Sequence, residues 1–309
     1  MSTNVPRIEF PELFFGFVSP IGADHSQALD AFRTYFQSVN YRVVPIKITN
    51  VFQFLKQYIE PKPPLVTFPP EAKYRSFIQY GDELRDEFHD DSFLATTAVV
   101  RIIKKRSKLP EPERFNRTVY LLDQFKRPEE IELLRAVYGQ AFFQVSVYSR
   151  RGARVESLAR KFASGHSSSH VNLYRSQAED LVQTDENENN PHGQRVAEIF
   201  HDADFIVNLD QHSPTVGEQI DRFCELIFSS NRLSPTKMEH GMFLAKGAAL
   251  RGLDLSRQVG ACILDREGQI ICLGANEVPK ARGGTYWADD QFDDRDFRKG
   301  GRPQCVAET

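Results

Sequence analysis

Five short apolar runs punctuate the first two-thirds of the chain, and segments of helical spacing part each from the next. The runs are LFFGFVS at 13–19, YRVVPIKI at 41–48, RTVYLLD at 117–123, AFFQVSVYS at 141–149 and DFIVNLD at 204–210. They are short, rich in aromatic and β-branched residues, and bounded by Pro, Gly or Asp, which is the signature of buried strands. After the first run, Ala28, Leu29, Phe32, Tyr35, Phe36 and Val39 form one apolar helical stripe, with Asp24 or Ser26 placed to cap its start. Helices are predicted over 70–86, 91–105, 151–163, 192–203 and 213–229, and over 128–139, which has Pro at its first turn and Gly just past its end. Strands alternating with helices predict an α/β fold with a parallel, doubly wound sheet. Pro45 assigns the second run to a sheet edge or to a strand end.

A chain of 309 residues suggests about two domains. The segment SSNRLSPTK at 229–237 is polar, contains proline and reads as a linker, which divides the chain into 1–229 and 230–309. After it come a helix over 238–253 and two strands, RQVGACILD and QIICLGAN, around a turn-like REG, predicting a β-hairpin. Residues 277–303 form a long loop rich in Gly, Asp and Arg. Its aspartates, interleaved with Arg295, Arg298 and Lys299, read as a solvated, self-paired stretch. A net charge of −3 gives no global pull toward nucleic acid or an anionic membrane. The start lacks a signal-peptide pattern, and no apolar run is long enough for a membrane span. The four cysteines show no CxxC spacing and read as reduced thiols of a cytoplasmic protein.

Two groups of residues bear on chemistry. Gly16, Ser19 and Gly22 lie between the first strand and its helix, where backbone N–H groups can face a phosphate. A phosphate loop places Lys and Ser or Thr after its last glycine. Ala23 and Asp24 stand there, so the lysine is missing and Asp24 would repel phosphate oxygens. An ordinary strand–helix turn and a degenerate phosphate loop are equally consistent with this pattern. Asp123 closes an apolar strand, as an acid that holds Mg²⁺ does, or as a turn residue does. HSSSH sets His166 and His170 four apart, but serines are poor helix interior and a polar loop is the better reading. The second group is LSRQVGACILDREGQIICLGANEVP at 255–279, followed by Lys280, Arg282 and two glycines.

The segments 79–88, 121–139 and 185–209 resemble nucleotide-monophosphate kinases, and 255–279 resembles the opening hairpin of deoxycytidylate-type deaminases. Together the chain resembles a two-domain family that joins a P-loop kinase-like domain to a zinc-dependent deoxycytidine-nucleotide deaminase of the cytidine deaminase-like superfamily. The resemblance implies that Arg85 faces a substrate phosphate, that Asn276 and Arg257 meet the sugar or base, and that Lys280 and Arg282 embrace a phosphate tail. It also implies a nucleotide partner, a homo-oligomer in the complete family, conversion of dCMP or dCTP to the uracil nucleotide, and a part in antiviral nucleotide depletion. Zinc in this family needs His or Cys from an H-x-E helix and two Cys from P-C-x-x-C. Glu308 aligns with the proton shuttle, but Val306 stands where the first ligand belongs, and no P-C-x-x-C follows. The expectation is an incomplete deaminase domain that binds no zinc and does not deaminate by itself. The alternative is a pseudoenzyme that senses a nucleotide or pairs with a partner.

Overall fold

Strand β1, Leu13–Val18, is buried at every position. Burial on both faces explains its unbroken run of apolar residues and places it centrally in a parallel sheet. The computed structural model describes residues 10–186, 192–210, 214–254, 256–280, 282–291 and 295. In chain order these form β1, α1 (Ser26–Ser38), β2 (Arg42–Lys47), α2 (Phe52–Leu55), α3 (Pro70–Phe88), α4 (Phe93–Arg106), β3 (Thr118–Asp123), α5 (Pro128–Tyr138), β4 (Phe142–Tyr148), α6 (Arg151–Gly165), α7 (Arg175–Glu186), α8 (Val196–Ile199), β5 (Phe205–Asn208), α9 (Val216–Ile227), α10 (Lys237–Ala249), β6 (Gly260–Leu264) and β7 (Ile270–Ala275). They group into two compact units, 1–229 and 230–309.

In the first unit the described strands make a five-stranded parallel sheet in the order β2-β3-β1-β4-β5. Period-two alternation sends Leu13, Phe15, Phe17, Val119 and Leu121 to one face, where Ala28, Phe32 and Phe36 of α1 and Ile220 and Cys224 of α9 cover them. Phe14, Val18, Tyr120 and Leu122 face the other way, against Leu84, Ala95, Ile102 and Leu134 from α3, α4 and α5. Helices on both faces make the sheet doubly wound, the α/β architecture expected from the sequence. A smaller cluster joins α6 and α7 through Val155, Leu158, Phe162, Leu181 and Val182, and Ile21 of the β1–α1 loop is part of it. Pro45 sits in β2, at the edge of the sheet.

Two local expectations are corrected. Gly16 lies inside β1, paired with Leu122 and Gln144, and not in the loop. A Cβ there would come within 2.7 Å of the Phe142 ring, so packing explains the glycine. The helix expected over 192–203 shrinks to α8 and a 3₁₀ turn, because the Arg195 N–H bonds to Lys126 O instead of to its own turn. In line with the polar-loop reading of HSSSH, His166 follows the end of α6 and Ser167 turns into the left-handed region, so His166 and His170 share no helix face.

In the second unit, Thr236 and Glu239 cap α10 reciprocally: the Glu239 N–H donates to Thr236 Oγ1 (3.2 Å) and the Thr236 N–H to Glu239 Oε2 (2.6 Å). Strands β6 and β7 pair antiparallel as a hairpin with a shift in register between Ile263 and Leu264. The α10 backbone approaches the hairpin so closely that a Cβ on Gly260 would stand 1.9 Å from Ala245 O. Among the described residues, no helix is long and apolar enough to cross a membrane.

Candidate functional site

The carboxyl ends of parallel strands are where open α/β sheets bind ligands. Here the end of β1 runs into Ser19, Pro20, Ile21 and Gly22, and the end of β3 presents Asp123. Gly22 has φ +86°, and a Cβ on it would lie 2.6 Å from Arg154 O. Only glycine accommodates both that backbone and that approach of α6. Asp24 does not point at the loop: its Oδ1 accepts from the Ser26 N–H (3.2 Å) and Oγ (2.5 Å), fixing the start of α1.

A lysine does reach the loop, but from another element. Lys126, between β3 and α5, donates from Nζ to Ser19 O (2.7 Å) and to Asp185 Oδ1 (2.6 Å). Gln124 Nε2 also donates to Ser19 O. Ser19 is fully buried, and its carbonyl is thus a fixed anchor for the β3–α5 loop. Asp185, fully buried in the last turn of α7, accepts the Ile21 N–H at Oδ2 (2.6 Å). A loop amide and an ammonium therefore converge on one carboxylate, an arrangement of donors that suits a phosphate equally well. Beside them, Arg154 packs against Gly22 and donates from Nη2 to Glu186 Oε1 (2.6 Å). Its Nε and Nη1 are buried and have no hydrogen-bond partner among the described residues.

Asp123 lies at the same strand ends. His25 Nε2 stands 3.0 Å from its Oδ1, within ion-pair distance but without the alignment of a hydrogen bond, so this buried oxygen has no aligned donor. Arg85 is buried, and carboxylates rather than open solvent surround it: Nη1 bonds to Asp82 (3.0 Å) and Nη2 to Glu130 (3.2 Å). Glu130 Oε2 in turn accepts the backbone N–H groups of Lys126 (2.8 Å) and Arg127 (3.1 Å). Arg85 thus braces, through Glu130, the turn that presents Lys126, and its guanidinium is turned to these carboxylates. Arg127 is buried too, held by Asp91 (2.9 Å), Glu129 (3.0 Å) and Gly193 O (2.7 Å). Burial works to raise the Glu129 carboxyl pKa, but the Arg127 hydrogen bond and charge prevail and hold it below its ordinary value.

The second unit places its expected residues differently. Asn276 directly follows β7, where its Oδ1 accepts the Val259 N–H (2.6 Å) and its Nδ2 donates to Arg257 O (2.6 Å). The amide thereby clips the approach to β6 onto the end of β7. Arg257 is exposed, and its N–H bonds to Asp254 Oδ1 (3.2 Å). Lys280 Nζ bonds to Asp290 Oδ2 (2.8 Å), and Arg282 lies exposed in the following turn with φ 75°. Val306 and Glu308 lie outside the described residues. Among the described residues no three His, Cys, Asp or Glu side chains come together as a metal site.

Lys126, Asp185 and Arg154 were not singled out by sequence reasoning. The signal available was a lysine three residues past the strand-ending Asp123, which gains meaning only once β1 and β3 are known to be neighbours.

No family model and no curated protein matches the sequence. Among solved structures, the chain is similar to a shikimate kinase from Acinetobacter baumannii in complex with shikimate, with 12% identity, 72% of this chain and 96% of that one covered, and a TM-score of 0.36. A shikimate kinase from Bacteroides thetaiotaomicron matches at 10% identity, with 70% and 98% covered and a TM-score of 0.34. A gluconokinase from Sinorhizobium meliloti 1021 matches at 12% identity, with 72% and 99% covered and a TM-score of 0.31.

Proposed function

We propose that residues 1–229 form a nucleotide-binding module that takes the phosphate group of a nucleoside phosphate as a regulatory ligand and does not transfer it. The observation that carries this reading is the convergence of the Ile21 N–H and Lys126 Nζ on one carboxylate at the end of β1. It supplies an anion site at the carboxyl ends of the sheet, with the cation contributed by the β3–α5 loop. Phosphoryl transfer asks for more: a cation and hydroxyl at the helix start that hold the terminal phosphate and its metal. Ala23 and Asp24 stand there, and Asp24 is engaged with Ser26. Titration calorimetry of the full chain with ATP and with dCTP tests the proposal. Saturable binding that Lys126→Gln weakens at least tenfold, without release of ADP, is the expected result. Absence of saturation, or steady ADP production, would overturn it.

A second reading assigns residues 230–309 to the leading part of a deoxycytidine-nucleotide deaminase domain. What favours it is the helix seated on an antiparallel hairpin that Asn276 follows. The donors present do not fit zinc: no three ligating side chains meet among the described residues, and Val306 is aliphatic. No deamination step is therefore derived for this chain. Incubation with dCMP and dCTP in the presence of zinc is expected to give no uracil nucleotide, and measurable conversion would refute this.

A further inference from the structure

The last two residues of α7, Asp185 and Glu186, neutralise the two cations beside the β1–α1 loop. Asp185 binds Lys126 Nζ (2.6 Å) and the Ile21 N–H (2.6 Å), while Glu186 binds Arg154 Nη2 (2.6 Å). Two acids in this place are unfavourable for the helix itself. The C-terminal end of a helix carries partial negative charge and favours cations, and the last turn of α7 holds no basic residue. The acids are kept there by their cation partners. Meanwhile Arg154, whose side chain is only 7% exposed, has two buried donors that its acid does not satisfy. A buried guanidinium with unmet donors calls for a further acceptor. A single carboxylate oxygen per cation leaves that demand open, whereas the oxygens of a phosphate group can meet several donors at once.

We infer that the C-terminal end of α7 is an autoinhibitory latch: Asp185 and Glu186 occupy the donors of the phosphate site, and a phosphate group binds by displacing them. This rests on the nucleotide-binding reading and adds its regulation. When a phosphate takes the Ile21 N–H, Lys126 and Arg154, Asp185 loses its partners, Glu186 keeps only the longer ion pair with Arg151 (3.6 Å), and both stand at the unfavourable end of their own helix. The last turn of α7 then loosens, and ligand binding is converted into a change of order in the α6–α7 pair. The apparent affinity of the site is lowered by the strength of the latch.

The test uses the full chain and inorganic pyrophosphate as the probe, with two measurements. In calorimetry, Asp185→Asn and Glu186→Gln should each bind pyrophosphate about tenfold more tightly than the parent chain. In hydrogen exchange on the parent chain, pyrophosphate should speed exchange in the last turn of α7. Should Asp185→Asn fail to fold, the exchange measurement and Glu186→Gln decide the matter. Pyrophosphate binding with unchanged exchange in α7, and no gain in the variants, overturns the latch and leaves the nucleotide-binding reading standing. Failure of the parent chain and all variants to bind overturns both.

Discussion

At the scale of single residues, two glycines carry steric information that can be tested. Gly22→Ala places a Cβ against the Arg154 carbonyl at a φ that side chains avoid. A loss of roughly 1–3 kcal/mol is expected in urea unfolding. Gly260→Ala drives a methyl group into the α10 backbone, 1.9 Å from Ala245 O and 2.4 Å from Ala249 N, where neither neighbour is a flexible side chain. About 3 kcal/mol, the upper end of overpacking costs, should be lost from the second unit. Titration supplies a third expectation. Burial raises the Cys224 thiol above its ordinary 9.0, and the charges of Asp221 and Glu225 add to this. Burial and Glu12 push the Tyr120 hydroxyl from 10.0 to about 12, and burial pushes Tyr138 to about 12. The folded chain therefore keeps protons that the unfolded chain releases from about pH 9 upward. Stability should be level with respect to these groups below that pH and fall as pH rises above it; a urea midpoint unchanged between pH 8 and pH 10.5 would contradict this. Sequence reasoning found Asp123, Ser19 and Gly22 at the strand ends but not Lys126 or Asp185. Those two lie 59 positions apart and meet only because β3 neighbours β1.

At the scale of elements, periodicity served well wherever both faces of a segment were defined by packing. The five parallel strands, α3, α4 and α5, and the hairpin all fall close to where the spacing of apolar residues put them. It failed where polar tertiary contacts replaced local ones, as at 192–195, whose backbone and side chains serve the Lys126 turn and Asp91. Asn276 shows the same limit in a side chain. Its residue type suited sugar or base recognition, yet its amide is committed to Val259 and Arg257 of its own hairpin. Asn276→Ala removes an acceptor and a donor from backbone groups at the open end of β6. Roughly 1–2 kcal/mol of the hairpin's stability should go with them, and amide exchange at Val259 should rise. If exchange at Val259 stays slow, the clip is not what holds that end closed.

At the scale of the molecule, the division at Ser229 and Ser230 has an experimental signature. Arg232 is exposed in an irregular connection between α9 and α10. Brief treatment with trypsin should cut there before it cuts the strands of the first unit, and mass spectrometry of the products would identify the site. Cleavage appearing first inside 118–148 would show that the sheet is the weaker part. The division also separates two kinds of surface. The sheet of the first unit is covered on both faces, whereas α10 and the hairpin leave Met238, Met242, Phe243, Leu250 and Ile271 largely exposed.

Pro45 brings a consequence for how copies of this chain meet. In β2 its ring nitrogen has no hydrogen to offer, and β2 forms one border of the five-strand sheet. A strand from another molecule that tried to dock along this border would find one rung of the ladder absent midway. Proline on a border strand thus makes that border a poorer template for edge-to-edge joining of sheets.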